Sequence, residues 1–401
     1  MEYEKGWEDQ KYLKGENKEK DMHIVIPFPA IREGGGGIAS FIRQFAHTAA
    51  QEGHQVTLIS SREGAEPAES VNDGVKTVHI TVPPMRFLRR IRYYGSFNRK
   101  VNALLKSGKL GEIKVVLGVS NAAGAGKGFP LVFRSASGPV AWELDMWRQI
   151  WNVWDSASLV KRVGVTFDFW LQSWFERGMV QSANALLCQS KEIVDGFKHE
   201  YQVELPSHVP CTGVDTKLFH PAKALPPQKN ILFVSGLSVS KGKRVLEQAL
   251  PVIFSAHPDA KLTIIAKEWT GMELREQDKK RVKFIKDMPH GQLPKEYRKA
   301  SVFVFPSVCN EGFPNVLLEA MASGLPIVTT RVAGINEYLD GKSASIVPKF
   351  DAQAFAFAVN KLLDSKTLRK STGANARRKS ARCAWSVVTK GILRFLEEQF
   401  C

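Results

Sequence analysis

The apolar positions fall into two series of short hydrophobic runs, each alternating with segments of helical spacing. From Met22, HIVIPFP reads as a short buried strand, EGGGG as a glycine loop, IASFIRQFAHTAAQEG as an amphipathic helix ending at Gly53, and HQVTLIS as the next strand. That order is a βαβ unit of a parallel sheet. Further strands are predicted at residues 75–82, 112–119, 130–136 and 185–190, the last preceded by a helix that starts near Phe167. Between Pro206 and Pro227 the periodicity stops and Pro, His and Gly dominate, so the domain boundary is placed there. Beyond it, strands at 230–236, 261–266, 282–286, 302–307 and 326–330 are interleaved with helices at 244–256, 293–300 and 313–324. This alternation predicts a second doubly wound α/β domain. Helices from Asp351 to Leu363 and from Thr367 to the end close it, with residues 385–401 crossing back to the first domain.

A chain of 401 residues exceeds what one hydrophobic core supports, and its 44% hydrophobic and 24% charged content suits two globular domains, 22–210 and 211–384. Residues 1–21 are dense in Lys and Glu and read as a solvated, disordered tail. No apolar run has the roughly 18 residues of a membrane span, and the charged N-terminus has no apolar stretch of the signal-peptide kind. The five cysteines are widely scattered without CxxC or zinc-type spacing, a pattern that fits a reducing cytoplasm and no structural metal. The formal net charge of +16 is more informative. Between Gly74 and Gly111, and again between Ser365 and Leu396, there are nine Lys or Arg and no acid. Nucleic acid, an anionic leaflet and a phosphorylated substrate are the partners such fields attract.

The strongest local signal is PSVCNEGFPNVLLEAMASGLPIVTT (306–330), a strand that enters a polar loop and then a helix. Glu311 lies in the loop and Glu319 eight residues on. Pro314 suits the first helical turn, so the turn Gly312, Phe313, Pro314, Asn315, Val316 leaves backbone N–H groups from Phe313 to Val316 free to meet an anion or hydroxyls. Glu311 faces a ligand at the carboxyl end of the strand, and Glu319, two turns along the same helical face, accepts hydrogen bonds from a second polar part of it. A sugar and a ribose at the two ends of a sugar nucleotide suit that spacing. So do a helix cap and a surface carboxylate.

The stretch resembles the E-x7-E signature of the retaining GT-B glycosyltransferases of family 4, the glycosyl transferases group 1. The likeness continues through LLEAMASGLPIV to VAGINEYLDG (332–341), which is similar to the family's GG-x-x-E turn. It implies an α/β GT-B fold, two Rossmann-like doubly wound domains facing a central cleft, with Glu311 on the transferred sugar and Glu319 on the ribose hydroxyls. VPCTGVDTKLFHP (209–221) resembles the interdomain motif, with Thr212 where the family has Asn. ILFVSGLSVSKG (231–242) resembles the strand and loop that hold the diphosphate, so Lys241 inherits the phosphate contact and joins Glu311 as a catalytic candidate. A lysine placed there neutralises charge developing on the leaving nucleotide. Where the family commonly has an Arg five residues earlier, this sequence has Gly236, so either Lys241 acts with another cation such as Lys243 or Arg244, or donor affinity is weaker than usual. The glycine run at 34–37 resembles the family's glycine-rich turn, which brings Gly36 and Gly37 to the donor phosphates. Near Ser137 and Gly138 many relatives carry a His-containing turn that is absent here, and Ser137 and Arg134 are the acceptor-side candidates.

The implied activity is that of a hexosyl-type, retaining glycosyltransferase. It moves a sugar from a nucleotide-sugar donor to a hydroxyl of a glycan or lipid-linked glycan acceptor of lipopolysaccharide, capsule or exopolysaccharide type. No D-x-D motif occurs, so neither metal nor cofactor is expected beyond the donor as co-substrate. In PPMRFLRRIRYYG (83–95), Phe87, Leu88, Ile91 and Tyr94 have helical spacing among arginines, as in a helix lying in an anionic interface. Arg86, Phe87, Arg89 and Arg90 are then membrane-facing, and the expected location is cytoplasmic, peripheral at the inner face of the membrane. The same segment also suits a helix packed on the sheet. Six of the nine tryptophans lie between Trp142 and Trp174, forming either an amphipathic surface or acceptor cleft, or a layer against the sheet. Among rivals, a GT-B epimerase or phosphorylase lacks this form of the E-x7-E loop. A catalytically silent sugar-nucleotide-binding partner of another transferase is the alternative from a different class. No RRM, helix-turn-helix or zinc pattern supports specific nucleic-acid binding.

Overall fold

A computed structural model describes residues 21–29, 31, 36–62, 68–82, 90–120, 124–224, 226, 228–309 and 311–401. The tail expected at 1–21 lies outside the described residues but for Asp21, as do Gly34, Gly35, Arg86, Phe87 and Arg89; Arg90 opens a helix, Arg90–Lys106.

The first sheet comprises β1 (His23–Pro27), β2 (Gln55–Arg62), β3 (Glu69–Asn72), β4 (Val75–Thr81), β5 (Val115–Val119), β6 (Leu131–Ser135), β7 (Ala185–Cys188) and β8 (Ser207–His208). Its spatial order is β3-β4-β2-β1-β5-β6-β7-β8, parallel except for the β3–β4 edge pair. The second comprises β9 (Asn230–Val234), β10 (Lys261–Ala266), β11 (Val282–Lys286), β12 (Val302–Phe305), β13 (Ile327–Thr330) and β14 (Ser345–Val347), in the all-parallel order β11-β10-β9-β12-β13-β14. β1, β5, β6 and β12 are buried at every position, because helices cover both faces of a parallel sheet and leave no polar side. Strand order reverses between β1 and β5 and between β9 and β12, and the carboxyl ends at such a reversal splay to leave a crevice.

Three strands escape the hydrophobic pattern. β3 (ESVN) and β8 (SH) hold one apolar residue between them and β14 is three residues long, so none of them shows an apolar run. The helix expected to start near Phe167 begins instead at Leu159 and runs to Gln181, behind a separate helix, Val140–Val153. Ser158 starts it, its hydroxyl accepting from Lys161 N at 3.4 Å. Trp142 fills a slot between Gly138 and Gly196, where an added Cβ would lie 2.1 Å and 2.3 Å from the indole. Met146 and Ile150 enter the core of the second domain, and Trp154 packs on Phe350 with ring centroids 5.0 Å apart. The Val140–Val153 helix is therefore a strut between the domains. Four of the six clustered tryptophans pack inward, while Trp170 and Trp174 face solvent.

The chain crosses between domains twice, and the crossings touch. Val214 bridges Ala384, and Gly213 admits the Trp385 indole where a Cβ would sit 2.1 Å from it. Helix Trp385–Phe400 then packs on helix Gly36–Gln51 of the first domain, with Trp385 5.8 Å from Phe41. Cys211 and Cys383 form a disulfide across the crossings, which corrects the reading of scattered, reduced thiols. Their separation of 172 residues hides in sequence a pairing that only the return of the C-terminus creates.

Candidate functional site

β9 and β12 flank the reversal in strand order, so the loops leaving their carboxyl ends lie side by side. The loop after β9 curls tightly: Lys241 N donates to Ser238 O at 3.1 Å, and Gly242 adopts φ +88°. A Cβ on Gly242 would fall 2.0 Å from the Pro306 carbonyl oxygen, so only glycine lets the two loops approach. Ser240 O accepts from the N–H groups of Val308 (2.9 Å) and Cys309 (3.3 Å), which ties the loops together. The consequence is an ion pair, Lys241 Nζ to Glu311 Oε2, of 2.6 Å. The other Glu311 oxygen accepts from Ser307 Oγ and, at 3.1 Å, from Cys309 Sγ. Burial alone lowers the Lys241 pKa, but the charge and hydrogen bond of Glu311, with Cys309, outweigh it and hold the ammonium above the usual lysine value. Burial also pushes the Cys309 thiol up to about 12, which keeps it a neutral donor.

The helper cations expected from sequence are engaged elsewhere. Lys243 donates to Thr270 O at 3.1 Å, and Arg244 pairs with Glu247 (3.1 Å) and Glu273 (2.7 Å). Neither replaces the arginine absent at Gly236, where a Cβ would meet nothing within 4 Å. That loop thus has open space at Gly236 rather than a second cation to act with Lys241.

The first domain roofs the pair. Ser137 forms a β-bridge with Glu311, and Gly312 N donates to Ala136 O at 3.0 Å. Gly312 is required by space, since a Cβ would lie 2.2 Å from Gln189 Oε1 and 2.7 Å from Ala136 O. Phe313 N donates to Gln189 Oε1 at 3.0 Å, and its ring packs on Tyr338 at 4.4 Å. That N–H is therefore not free for an anion, contrary to the sequence expectation. Gln189 Nε2 donates to Thr212 Oγ1, the Tyr338 hydroxyl donates to Gln189 O at 2.7 Å, and Lys191 N donates to Glu337 Oε1 at 2.6 Å. Gln189 and Tyr338 were not singled out from sequence, because their roles exist only when the domains meet.

Gly36 (φ +83°) and Gly37 open the Gly36–Gln51 helix, and a Cβ on Gly37 would lie 3.5 Å from Asn315 Nδ2. Asn315 and Val316, after Pro314, open helix Asn315–Ala322. Two helix N-termini thus meet where Gly37 approaches Asn315, and their dipoles favour an anion between them. Of the acceptor-side candidates, Ser137 lies at this junction. Arg134 does not line it: its guanidinium is buried 3.5 Å over the Phe41 ring, and burial pulls its pKa to about 9.

Glu319 is 6% exposed, and both its oxygens are taken. The buried Tyr297 hydroxyl donates to Oε2 at 2.9 Å, and His290 Nε2 lies 2.8 Å from Oε1. The hydrogen bond to Glu319 raises the His290 pKa against the effect of burial. Sequence reasoning left Glu319 as an open acceptor, whereas the fold has it already paired. Of the two partners, His290 is the accessible one, with 60% of its side chain exposed.

Residues 35–218 match the Glycosyltransferase Family 4 profile, and residues 228–365 match the Glycosyl transferases group 1 profile. The chain is similar to spore coat protein SA of Bacillus subtilis, 32% identical over 216 residues, 47% of this chain and 57% of that protein. It is also similar to the phosphatidyl-myo-inositol mannosyltransferase of Mycolicibacterium smegmatis, 26% identical over 387 residues, 94% of each chain. The matches span somewhat over half the length of the first of these and of other curated relatives. Among solved structures it is similar to sucrose-phosphate synthase from Thermosynechococcus elongatus, with TM-score 0.77 and 18% identity over 94% of this chain and 99% of that one. Anabaena HepE in complex with UDP-glucose superposes with TM-score 0.67 and 15% identity over 94% of this chain and 100% of that one. With two parallel-sheet domains closing on Lys241 and Glu311, the fold is GT-B, and the chain belongs to the family 4, group 1 glycosyltransferases.

Proposed function

We propose that this protein transfers a hexose from a nucleotide-sugar to a hydroxyl of a glycan or lipid-linked glycan, with retention of configuration and without a metal ion. The observation that carries the reading is the 2.6 Å Lys241–Glu311 pair, in the loop that leads into the Asn315–Ala322 helix and roofed by Ser137. On donor binding, Lys241 exchanges Glu311 for the diphosphate, and Glu311 turns its released oxygen to a sugar hydroxyl. The acceptor oxygen bonds to the anomeric carbon on the face from which the diphosphate departs, the carbon–oxygen bond to phosphate breaks, and the hydroxyl proton passes to the departing phosphate. Lys241 and the N-termini at Gly36, Gly37, Asn315 and Val316 stabilise the developing charge. One oriented donor of this kind contributes roughly 10²-fold to 10³-fold in rate. Glu319 takes the ribose in place of His290. The names of relatives that act on phosphatidylinositol and in capsular polysaccharide biosynthesis support an acceptor of lipid-linked or polysaccharide type, reached at the inner face of a membrane.

Saturation-transfer NMR of the parent, Glu319→Ala and Lys241→Ala proteins against UDP-, GDP- and ADP-sugars, in EDTA, tests the reading. UDP-sugars come first, because HepE was solved with UDP-glucose. The expected result is a donor bound by the parent, lost in Glu319→Ala, and hydrolysed slowly without acceptor in a manner that Lys241→Ala reduces on the order of 10²-fold. No donor bound by the parent overturns the reading. A donor bound but never hydrolysed or transferred shifts the assignment to a silent binding partner.

A further inference from the structure

The Leu159–Gln181 helix carries its amphipathicity the wrong way round for a soluble surface. Its protein-facing side holds Glu176, which accepts from Val140 N at 2.8 Å and from the Tyr201 hydroxyl, and Arg162, which lies over the Trp151 ring at 5.6 Å. Its outer side holds Val160 (83% exposed), Val163 (59%), Phe167 (61%), Trp170 (61%) and Trp174 (61%), with Leu159 (77%) at the start. At 3.6 residues per turn these side chains fall within roughly a 100° arc, and Val160 to Trp174 spans about 21 Å. Phe167 stacks on Trp170 with centroids 5.9 Å apart, so the rings form a continuous ridge. A contiguous exposed apolar ridge of this kind is a recognition surface rather than scattered surface apolarity.

We propose that this ridge is the surface by which the protein docks on an anionic lipid bilayer. Aromatic side chains, tryptophan above all, partition to the headgroup region, and basic residues flanking them add attraction to anionic lipid. The charged residues on the exposed flanks of the helix are Lys161, Arg177 and Asp168, two of the three basic, in a chain of net charge +16. Lys161 pairs with Asp155 at 3.3 Å, and Asp168 accepts from Gln172 Nε2 at 2.6 Å. A second copy of this chain is the less complementary occupant, since each copy carries a net charge of +16 and two copies repel each other. The placement suits a lipid-borne acceptor. Glu176 fastens the Trp174 end of the ridge to Val140, three residues beyond Ser137, which bridges Glu311. This surface differs from the arginine-rich segment 83–95, and the inference rests on the lipid-linked acceptor proposed above.

Vesicle sedimentation of the whole chain tests it, with phosphatidylcholine vesicles alone and with phosphatidylglycerol added. The parent is expected to sediment with the anionic vesicles. A Phe167→Ser/Trp170→Ser/Trp174→Ser variant is expected to partition at least roughly tenfold less, since each ring loses its buried apolar area. A conservative Trp170→Phe/Trp174→Phe variant, which keeps the ridge, is expected to bind yet lose tryptophan quenching by brominated lipid. Equal sedimentation of parent and triple variant overturns the proposal, as does a parent that ignores anionic vesicles. A parent dimer that the triple variant converts to monomer, with no vesicle binding, assigns the ridge to a second copy. Donor binding by NMR, expected unchanged in the triple variant, separates the two readings: vesicle binding without donor binding retains the docking surface and removes the glycosyl transfer.

Discussion

Glu176→Gln isolates the buried carboxyl that fastens the exposed helix beside the site. Burial pushes the Glu176 pKa up to about 7 from 4.5, with help from Glu143 and Glu200, and the hydrogen bonds from Tyr201 and Val140 only partly oppose it. A carboxyl raised in this way binds its proton more tightly in the folded state than in the unfolded one. Its contribution to stability is complete below pH 4.5 and is lost progressively as the pH rises through 7. The interval between the two values corresponds to about 3 kcal/mol at 1.36 kcal/mol per unit. Gln keeps the geometry, because both hydrogen bonds converge on one carboxyl oxygen that the amide oxygen can replace, and it removes the charge. Urea unfolding followed by circular dichroism between pH 4 and 8.5 is the assay, with amide exchange of Val140 as the local probe. The variant is expected to gain on the parent as the pH rises, reaching about 2–3 kcal/mol near pH 8.5. Parallel pH profiles for the two proteins, or a variant less stable by the same amount at every pH, would refute the reasoning.

Two further outcomes follow from the domain junction. Gly312→Ala places a methyl group 2.2 Å from Gln189 Oε1 and 2.7 Å from Ala136 O, so the roof over Glu311 must lift. An overpacking cost of about 1–3 kcal/mol at that contact predicts a transfer rate lower by roughly 5-fold to 150-fold. Donor binding in the second domain should be affected less, and equal losses in both measurements would show that the roof is not a separate element. Cys383→Ser opens the disulfide that closes a loop with sequence separation 172. The chain-entropy estimate gives a stabilisation of about 5 kcal/mol, to be read from thermal unfolding with and without reductant. A melting temperature indifferent to both changes would count against a stabilising role for the bond.

Much of the fold was legible because buried parallel strands are continuous apolar runs and their covering helices repeat at 3.6 residues. That pattern marks β1, β2, β9, β10, β12 and β13 without reference to any neighbour. The loop bearing Glu311 and the Lys241 turn were legible for the same reason, since each follows a readable strand and carries its glycine or proline at the point of chain reversal. The partners of those residues were not. Gln189 reaches Phe313, His290 and Tyr297 close on Glu319, Lys243 turns to Thr270 and Arg244 to Glu273, all across distances in sequence that local periodicity does not register. The Cys211–Cys383 bond and the sense in which the Leu159–Gln181 helix faces solvent belong to the same class. Sequence by itself determined the long buried strands, most of the helices that cover them and where the reactive loops leave them, because these depend on short-range burial and turn chemistry. Only the tertiary structure decided which carboxylate is already paired, which cations are taken and which apolar face is left uncovered, because each depends on desolvation and charge supplied by elements distant along the chain.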